Sequence, residues 1–314
     1  MRIASLLPAA TEWICALGAE DALVARSHEC DFPVHITDRP AVTHAAYDDT
    51  GSSAEIDTAV RETLQNGLSL YPLDLDRLQA LAPDLILTQD QCEVCAIAKS
   101  DLEAALAAWT GSPPDLFSMQ PQTLKEVLNT GLRLGKRLGR ARNAMRLIAE
   151  REKALHQLHR RLSYDRRTAD PEALPTVACI EWLDPLMIAG HWMPDVVEMA
   201  GGRAVLADVG DPSPTLSFDA LRDADPDVIV LLPCGFSIDQ TQRDLSALTQ
   251  RSGWNDLSAV RHERVIVLDG NAYFNRPGPR LYRSIELMAH AIHGVSLPEP
   301  PAPWEVRTLP HTTE

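Results

Sequence analysis

The sequence predicts an α/β protein of two Rossmann-like lobes with parallel sheets, joined by one long helix, and three observations carry that expectation. First, a segment occurs twice: the stretch from Leu75 to Leu87 recurs in pattern from Phe218 to Val230, with Asp76 and Asp219, and Pro83 and Pro226, at one offset of 143 residues. Each copy reads as a short helix carrying an acid, a Pro-Asp stop and a buried strand. Second, short apolar runs alternate with helical patterns along the chain, which favours a parallel sheet with helices on its faces. Third, 314 residues exceed what one hydrophobic core usually holds. Two similar lobes imply a cleft, and clefts between domains are where small ligands bind.

The first lobe covers residues 1–120. Arg2 to Leu7 is its opening strand, Thr11 to Leu17 a helix ended by Gly18, and Ala22 to Arg26 the next strand. Gly51-Ser52-Ser53 opens a helix that runs to Gln65. Leu73 to Leu81 is the repeated short helix, with the strand Asp84 to Thr88 behind it, and Cys95 to Thr110 reads as helical. A last strand lies near Leu116 to Ser118, after Pro113-Pro114.

Residues 121–168 form the interlobe helix. Thr123 and Glu126 fit a capping box, and Leu124, Leu128, Leu132, Leu138, Met145, Ile148, Leu155 and Leu162 recur at mostly helical spacing. Unbroken from Thr123 to Leu162, the helix would run roughly 60 Å at about 1.5 Å per residue. Gly131, Gly135 and Gly139 mark close packing or a bend within it.

The second lobe, 169–296, has strands at Thr176 to Glu181, Asp227 to Leu232 and Arg264 to Leu268, and helices at Pro194 to Met199, Phe218 to Ala224 and Arg280 to His290. Residues 297–314 are a proline-rich tail, expected to run extended along the surface.

A net charge of −15 disfavours nucleic acid, whose phosphates need a basic footprint. The charge is uneven: 13 Lys and Arg stand against 4 Asp and Glu between Pro121 and Thr168. The N-terminus reads as a core strand, with no charged leader ahead of a long apolar stretch, so a cytoplasmic location is expected. Six cysteines in that setting read as thiols. No run is long enough for a membrane span.

In open parallel sheets ligands sit beyond the carboxyl ends of the strands. The loops that follow the strands hold Trp182, Trp192, Tyr273 and Phe274, in a chain only 5% aromatic. Loop aromatics give rigid, flat contact area for a planar ligand; the alternative is that they plug the loop bases. Gln91, His191 and Arg280 in the same loops are placed to satisfy a polar periphery.

Cys92 and Cys95 follow a strand and precede a helix, where a thiolate would be stabilised. Three readings stand for that pair: part of a ligand loop, a soft-metal site joined by His28 and Cys30, or a redox dithiol. His28 or His191 could instead be an axial ligand to a bound metal. No P-loop, G-x-G-x-x-G, H-E-x-x-H or G-x-S-x-G is present, which speaks against the enzymes that use them.

The stretch from Ile3 to Glu12, with Ala16-Leu17-Gly18 and Cys30-Asp31-Phe32-Pro33, resembles the opening of the cobalamin-binding proteins of ABC importers. These form part of the iron-siderophore and cobalamin substrate-binding family. The resemblance continues through Leu75 to Thr88, Glu181 to Gly202 and Tyr273 to Arg280. It implies the class III substrate-binding architecture, a corrinoid held between the lobes as ligand with no catalytic cofactor, and no catalysis. Family ligand-contacting positions fall near Glu29, Tyr71, Trp182 and Ser213, and the acids that dock onto the permease match Asp76 and Asp219. The partners implied are a small corrinoid and an ABC permease, with the chain acting as a monomer. Another metal chelate, such as an iron-siderophore, is the alternative ligand, and a cytosolic metal or redox protein using Cys92 and Cys95 the alternative role.

Overall fold

The computed structural model describes residues 1–66, 68–89, 102–103, 106–107, 109–162 and 170–309. The chain divides into two compact units. The first is Met1–Gly51, Glu55–Pro121 and Val127–Ile148; the second is Ser52–Ala54, Gln122–Glu126 and Ala149–Glu314.

In the first unit, β1 (Ile3–Ser5), β2 (Leu23–Arg26), β3 (Leu85–Gln89) and β4 (Asp115–Met119) form a sheet of order β2-β1-β3-β4. All three pairings are parallel, with Ile3 opposite Leu85 and Leu85 opposite Asp115. β1 and β3 are buried along their whole length, as strands covered on both faces must be. Helix α1 (Pro8–Ala16) starts on a proline, whose missing N–H costs nothing in a first turn, and delivers the fully buried Trp13 to the core. Helix α2 (Ser53–Gln65) and the repeated short helix α3 (Leu75–Ala80) follow.

The segment expected as one long helix is two: α4 (Leu124–Arg137) and α5 (Ala141–Arg161). The break falls at Gly139, whose φ of +67° takes the backbone into the left-handed region that ends helices. Gly131 and Gly135 mark close packing instead. A side chain at Gly131 would begin 2.6 Å from the Trp13 ring, and one at Gly135 would begin 2.7 Å from Ala144. At the start of α4, Thr123 Oγ1 accepts from Glu126 N at 3.2 Å. The Glu126 carboxylate reaches one residue further back than a capping box requires and takes Gln122 N at 2.7 Å.

The second unit builds its sheet from β5 (Thr176–Trp182), β6 (Met187–Ile188), β7 (Arg203–Ala204), β8 (Val228–Leu231), β9 (Val265–Leu268) and β10 (Val306–Thr308), in the order β10-β9-β8-β5-β6 with β7 also beside β5. Its centre is parallel, with Val177 opposite Val228 and Ile229 opposite Val265. Its edges β6 and β10 are antiparallel, so the sheet is mixed. Helices α6 (Met193–Met199), α7 (Phe218–Ala224), α8 (Ile238–Arg243) and α9 (Leu281–His293) accompany it. Ala178, Ile180, Ile229, Leu231 and Val267 share one core with Leu221 and Trp254.

The proline-rich tail is not a loose surface strand. Val306 to Thr308 pairs with β9, and the preceding Glu305 is buried. Its carboxylate takes Arg283 Nε at 3.0 Å and Nη2 at 2.9 Å, a bidentate pair that ties the tail to α9.

Candidate ligand-binding loops

Two parallel strands of the second unit, β5 and β9, end in loops that the sequence singled out. β5 ends at Trp182, partly exposed, with its ring 5.3 Å from the buried Phe236 that follows β8. After β9 the chain makes a five-residue π-turn, Gly270–Phe274, capped by Asp269 Oδ1, which accepts from Ala272 N at 2.7 Å.

The rings on these loops divide sharply by exposure. Phe274 is fully buried, and Trp192 and Tyr273 keep only 8% of their surface. A phenyl ring with no polar atom gains most by turning into the core. The Trp192 indole, once buried, needs an acceptor, and it donates to Phe274 O at 3.1 Å. Phe274 therefore presents no ring surface, which corrects the expectation that it faces a ligand. Tyr273 stacks on Trp304 at 5.8 Å, with the Arg280 guanidinium 5.4 Å over its ring. Burial, with the hydrogen bond to Glu305, pushes the Tyr273 hydroxyl well above its ordinary value. Burial works to raise Glu305 in turn, but hydrogen bonds from Arg283, Ala302 N and Tyr273 outweigh it and hold the carboxyl below 4.5. Arg276 is buried and donates to Asn271 Oδ1 at 2.7 Å.

His191 sits in the turn after β6. Its Nδ1 lies 2.6 Å from Gln122 Oε1, its ring stacks on Trp192 at 5.9 Å, and burial holds its imidazole below the ordinary 6.5. Ser213 Oγ, at the fourth family position, accepts from Gly190 N at 3.0 Å.

In the first unit the loop after β2 gathers a second group. His28 Nδ1 is 2.8 Å from Thr43 Oγ1, its ring lies 5.4 Å from that of Tyr71, and Glu29 Oε1 is 3.4 Å from His28 Nε2. Tyr71 is buried and shares a hydrogen bond of 2.9 Å with the Tyr47 hydroxyl. The structure thus brings Glu29, Tyr71 and His28 together and adds Tyr47 and Thr43. Cys30 is enclosed beside Thr11 Oγ1, which donates to its sulfur at 3.1 Å. Gln91, Cys92 and Cys95 lie outside the described residues, and among the described residues no three metal-binding side chains cluster.

Asp76 and Asp219 are both exposed in the first turns of α3 and α7, where a carboxylate is favoured by the helix dipole. Asp219 also pairs with Arg222 at 2.9 Å.

Sequence reasoning missed Gln122, Tyr47, Trp304 and Glu305. The last two had a signal in the apolar and polar alternation that follows the prolines. A glutamine whose partner is 69 positions away had none.

The family model described as periplasmic binding protein matches residues 3–272. The chain belongs to the periplasmic binding protein family. Among curated proteins it is 24% identical over 300 residues to a vitamin B12-binding protein of Vibrio cholerae serotype O1, covering 91% of this chain and 86% of that one. Among solved structures, the periplasmic vitamin B12 binding protein of Vibrio cholerae superposes with a TM-score of 0.64 at 21% identity, over 93% of this chain and 96% of that one. A periplasmic heme binding protein from Pseudomonas aeruginosa gives 0.69 at 20% identity, over 99% and 98%. These structures share the class III fold. Membership of a periplasmic family overturns the expectation of a cytoplasmic location, which rested on the character of the first residues alone. The family and the curated relative are both described as binding proteins.

Proposed function

We propose that this periplasmic binding protein takes up a corrinoid of the cobalamin type, binds it without catalysis, and serves an ABC importer. The observation that carries the ligand class is the likeness along 91% of the chain to a vitamin B12-binding protein. Trp182 supports it, as a partly exposed aromatic at the carboxyl end of a central strand, where a flat ligand finds rigid contact area. In this reading Trp182, His191, Arg280, Glu29 and Tyr71 contribute to binding. Trp192 and Tyr273 act as supports beneath them, and Gln91 adds an amide. Asp76 and Asp219, both exposed, are the contacts offered to a permease, and the chain acts as a monomer.

The fold likeness to a heme binding protein makes heme the competing ligand. An anionic iron chelate is less well served, because such ligands need open cations and Arg276 is buried against Asn271.

Titrating the purified protein with hydroxocobalamin, hemin and a ferric hydroxamate, followed by visible absorbance, separates the three. Cobalamin should bind with a spectral shift at micromolar concentration, and Trp182→Ala should weaken it about tenfold, the equivalent of ~1.4 kcal/mol, in the range of one aromatic contact. Absence of uptake of any corrinoid at that concentration removes the reading.

A further inference from the structure

His191 is held in place by several independent restraints. Its φ of +51° lies in the left-handed region, a strained conformation for a non-glycine residue that persists only where the surroundings enforce it. They do: His191 N donates to Asp211 O at 2.7 Å, and Gly210 N donates to His191 O at 2.9 Å. Gly190, just before it, tolerates no side chain, because a Cβ would begin 2.5 Å from Asp211 O. The imidazole stacks on Trp192, and its Nδ1 meets Gln122 Oε1 at 2.6 Å.

A glutamine carbonyl oxygen can only accept, so Nδ1 carries the proton, and in the neutral ring Nε2 keeps its lone pair. Nε2 has no hydrogen-bond partner among the described residues, and it is not one of the enclosed atoms. A histidine that donates one ring N–H to a carbonyl oxygen has its tautomer and orientation fixed for binding a metal through the other nitrogen. His28 is built differently. Its Nε2 is enclosed, with the Glu29 carboxylate 3.4 Å away.

We propose that His191 Nε2 is an axial ligand to the metal at the centre of the bound tetrapyrrole, cobalt if the corrinoid reading above holds, on which this inference rests. The lone pair forms the nitrogen–metal bond as an axial water leaves. No proton moves from Nε2, and the oxidation state of the metal is unchanged. Gln122 is the positioning residue, acting through the Nδ1 proton.

Aquocobinamide, which lacks the lower nucleotide base and so has both axial sites open, is the probe. Wild-type protein should shift its visible bands on binding. After reduction by dithionite to cobalt(II), the electron paramagnetic resonance spectrum should show the three-line splitting of a single axial nitrogen. His191→Ala should bind at least about tenfold more weakly without that splitting, and free imidazole should restore it. Gln122→Ala should keep the splitting but lose about tenfold in affinity, as outer partners of ligating histidines do.

Wild-type protein that binds aquocobinamide without the splitting overturns this assignment and leaves the corrinoid reading standing. The same holds if the splitting persists in His191→Ala. Failure of the wild type to bind any corrinoid overturns both. The wild-type spectrum decides the matter even if His191→Ala does not fold.

Discussion

The two copies of the repeated segment reach one backbone path by different chemistry. In the first unit the helix is capped by Asp74, whose Oδ1 accepts from Arg77 N at 3.0 Å; in the second, Ser217 Oγ accepts from Ala220 N at 3.3 Å. Both helices give way to a residue in the left-handed region, Ala82 at φ +41° and Asp225 at φ +36°, followed by proline and aspartate. Both of those aspartates take a backbone N–H at the head of the neighbouring central strand: Asp84 from Arg2 at 2.7 Å, and Asp227 from Thr176 at 2.8 Å. The copies part in their side-chain bonds. Asp225 accepts from Ser258 N and Oγ, each at 2.7 Å, and Asp227 exchanges a further pair with Thr176, Oγ1 to carboxylate and Asp227 N to Oγ1, at 2.8 Å each. Ala82 has no side-chain hydrogen bond to offer. Both copies therefore tie the turn to the neighbouring strand through an aspartate, and the second adds the Asp225 to Ser258 and Asp227 to Thr176 side-chain bonds to the same frame.

The largest expected effect tests what the copies share. Leu78 and Leu221 are fully buried at equivalent places. Truncating either to alanine should cost about 2–5 kcal/mol, because a fully enclosed leucine leaves a cavity. Amide hydrogen exchange on the full-length protein should show each loss confined to its own unit. Unequal costs would mean that the two cores are less alike than their backbones.

A smaller effect tests the difference. Asp227→Ala should cost about 1–2 kcal/mol and Asp84→Ala less, since Asp227 accepts two short hydrogen bonds from Thr176 while Asp84 accepts one from Arg2 N beside a longer ion pair with the N-terminal ammonium at 3.8 Å, both at exposed positions where solvent screens part of the gain. The acid response has the same origin. Hydrogen bonds from Ser258 and from Thr176 hold Asp225 and Asp227 below the ordinary 3.8. A carboxyl depressed in the folded state contributes stability that is fully present above its unfolded value and disappears as pH falls through the folded one. The second unit should thus lose protection below about pH 4, and Asp225→Asn should flatten that loss in a pH series of exchange rates. An unchanged acid profile would refute the role given to these bonds.

This local grammar was legible in the sequence because caps, proline stops and leucine spacing act within a few residues. The parallel sheet of the first unit and the parallel centre of the second followed from the same signals, whereas the antiparallel edges of the second did not. What stayed hidden depends on contacts between distant residues. A tryptophan in a loop after a strand reads alike whether its ring faces ligand or core, so Trp182 and the buried Trp192 and Phe274 were indistinguishable until packing placed them. Glycines 131, 135 and 139 are evenly spaced, yet two make room for neighbours and the third breaks the helix. The Gln122 to His191 contact, on which the metal-ligand assignment depends, involves a residue type with no chemical signature of its own.

The smallest effect isolates backbone strain from hydrogen bonding. Ala82 holds φ +41° with a Cβ and no side-chain bond, whereas Asp225 holds nearly the same angle with two. The left-handed region costs an alanine about 1–2 kcal/mol relative to glycine, and glycine gives back about 0.5–1 kcal/mol through the greater freedom of its unfolded chain. Ala82→Gly should therefore stabilise the first unit by about 0.5 kcal/mol and raise its midpoint by about 1–2 °C. Asp225→Gly relieves the same strain but removes the bonds to Ser258, so it should be neutral or destabilising. Opposite signs at equivalent positions, read by thermal melting with unit-resolved hydrogen exchange, would show that the second copy uses its side chain to hold a turn that the first copy holds at the expense of strain. If both changes stabilise, the Ser258 bonds contribute less than the backbone angle costs.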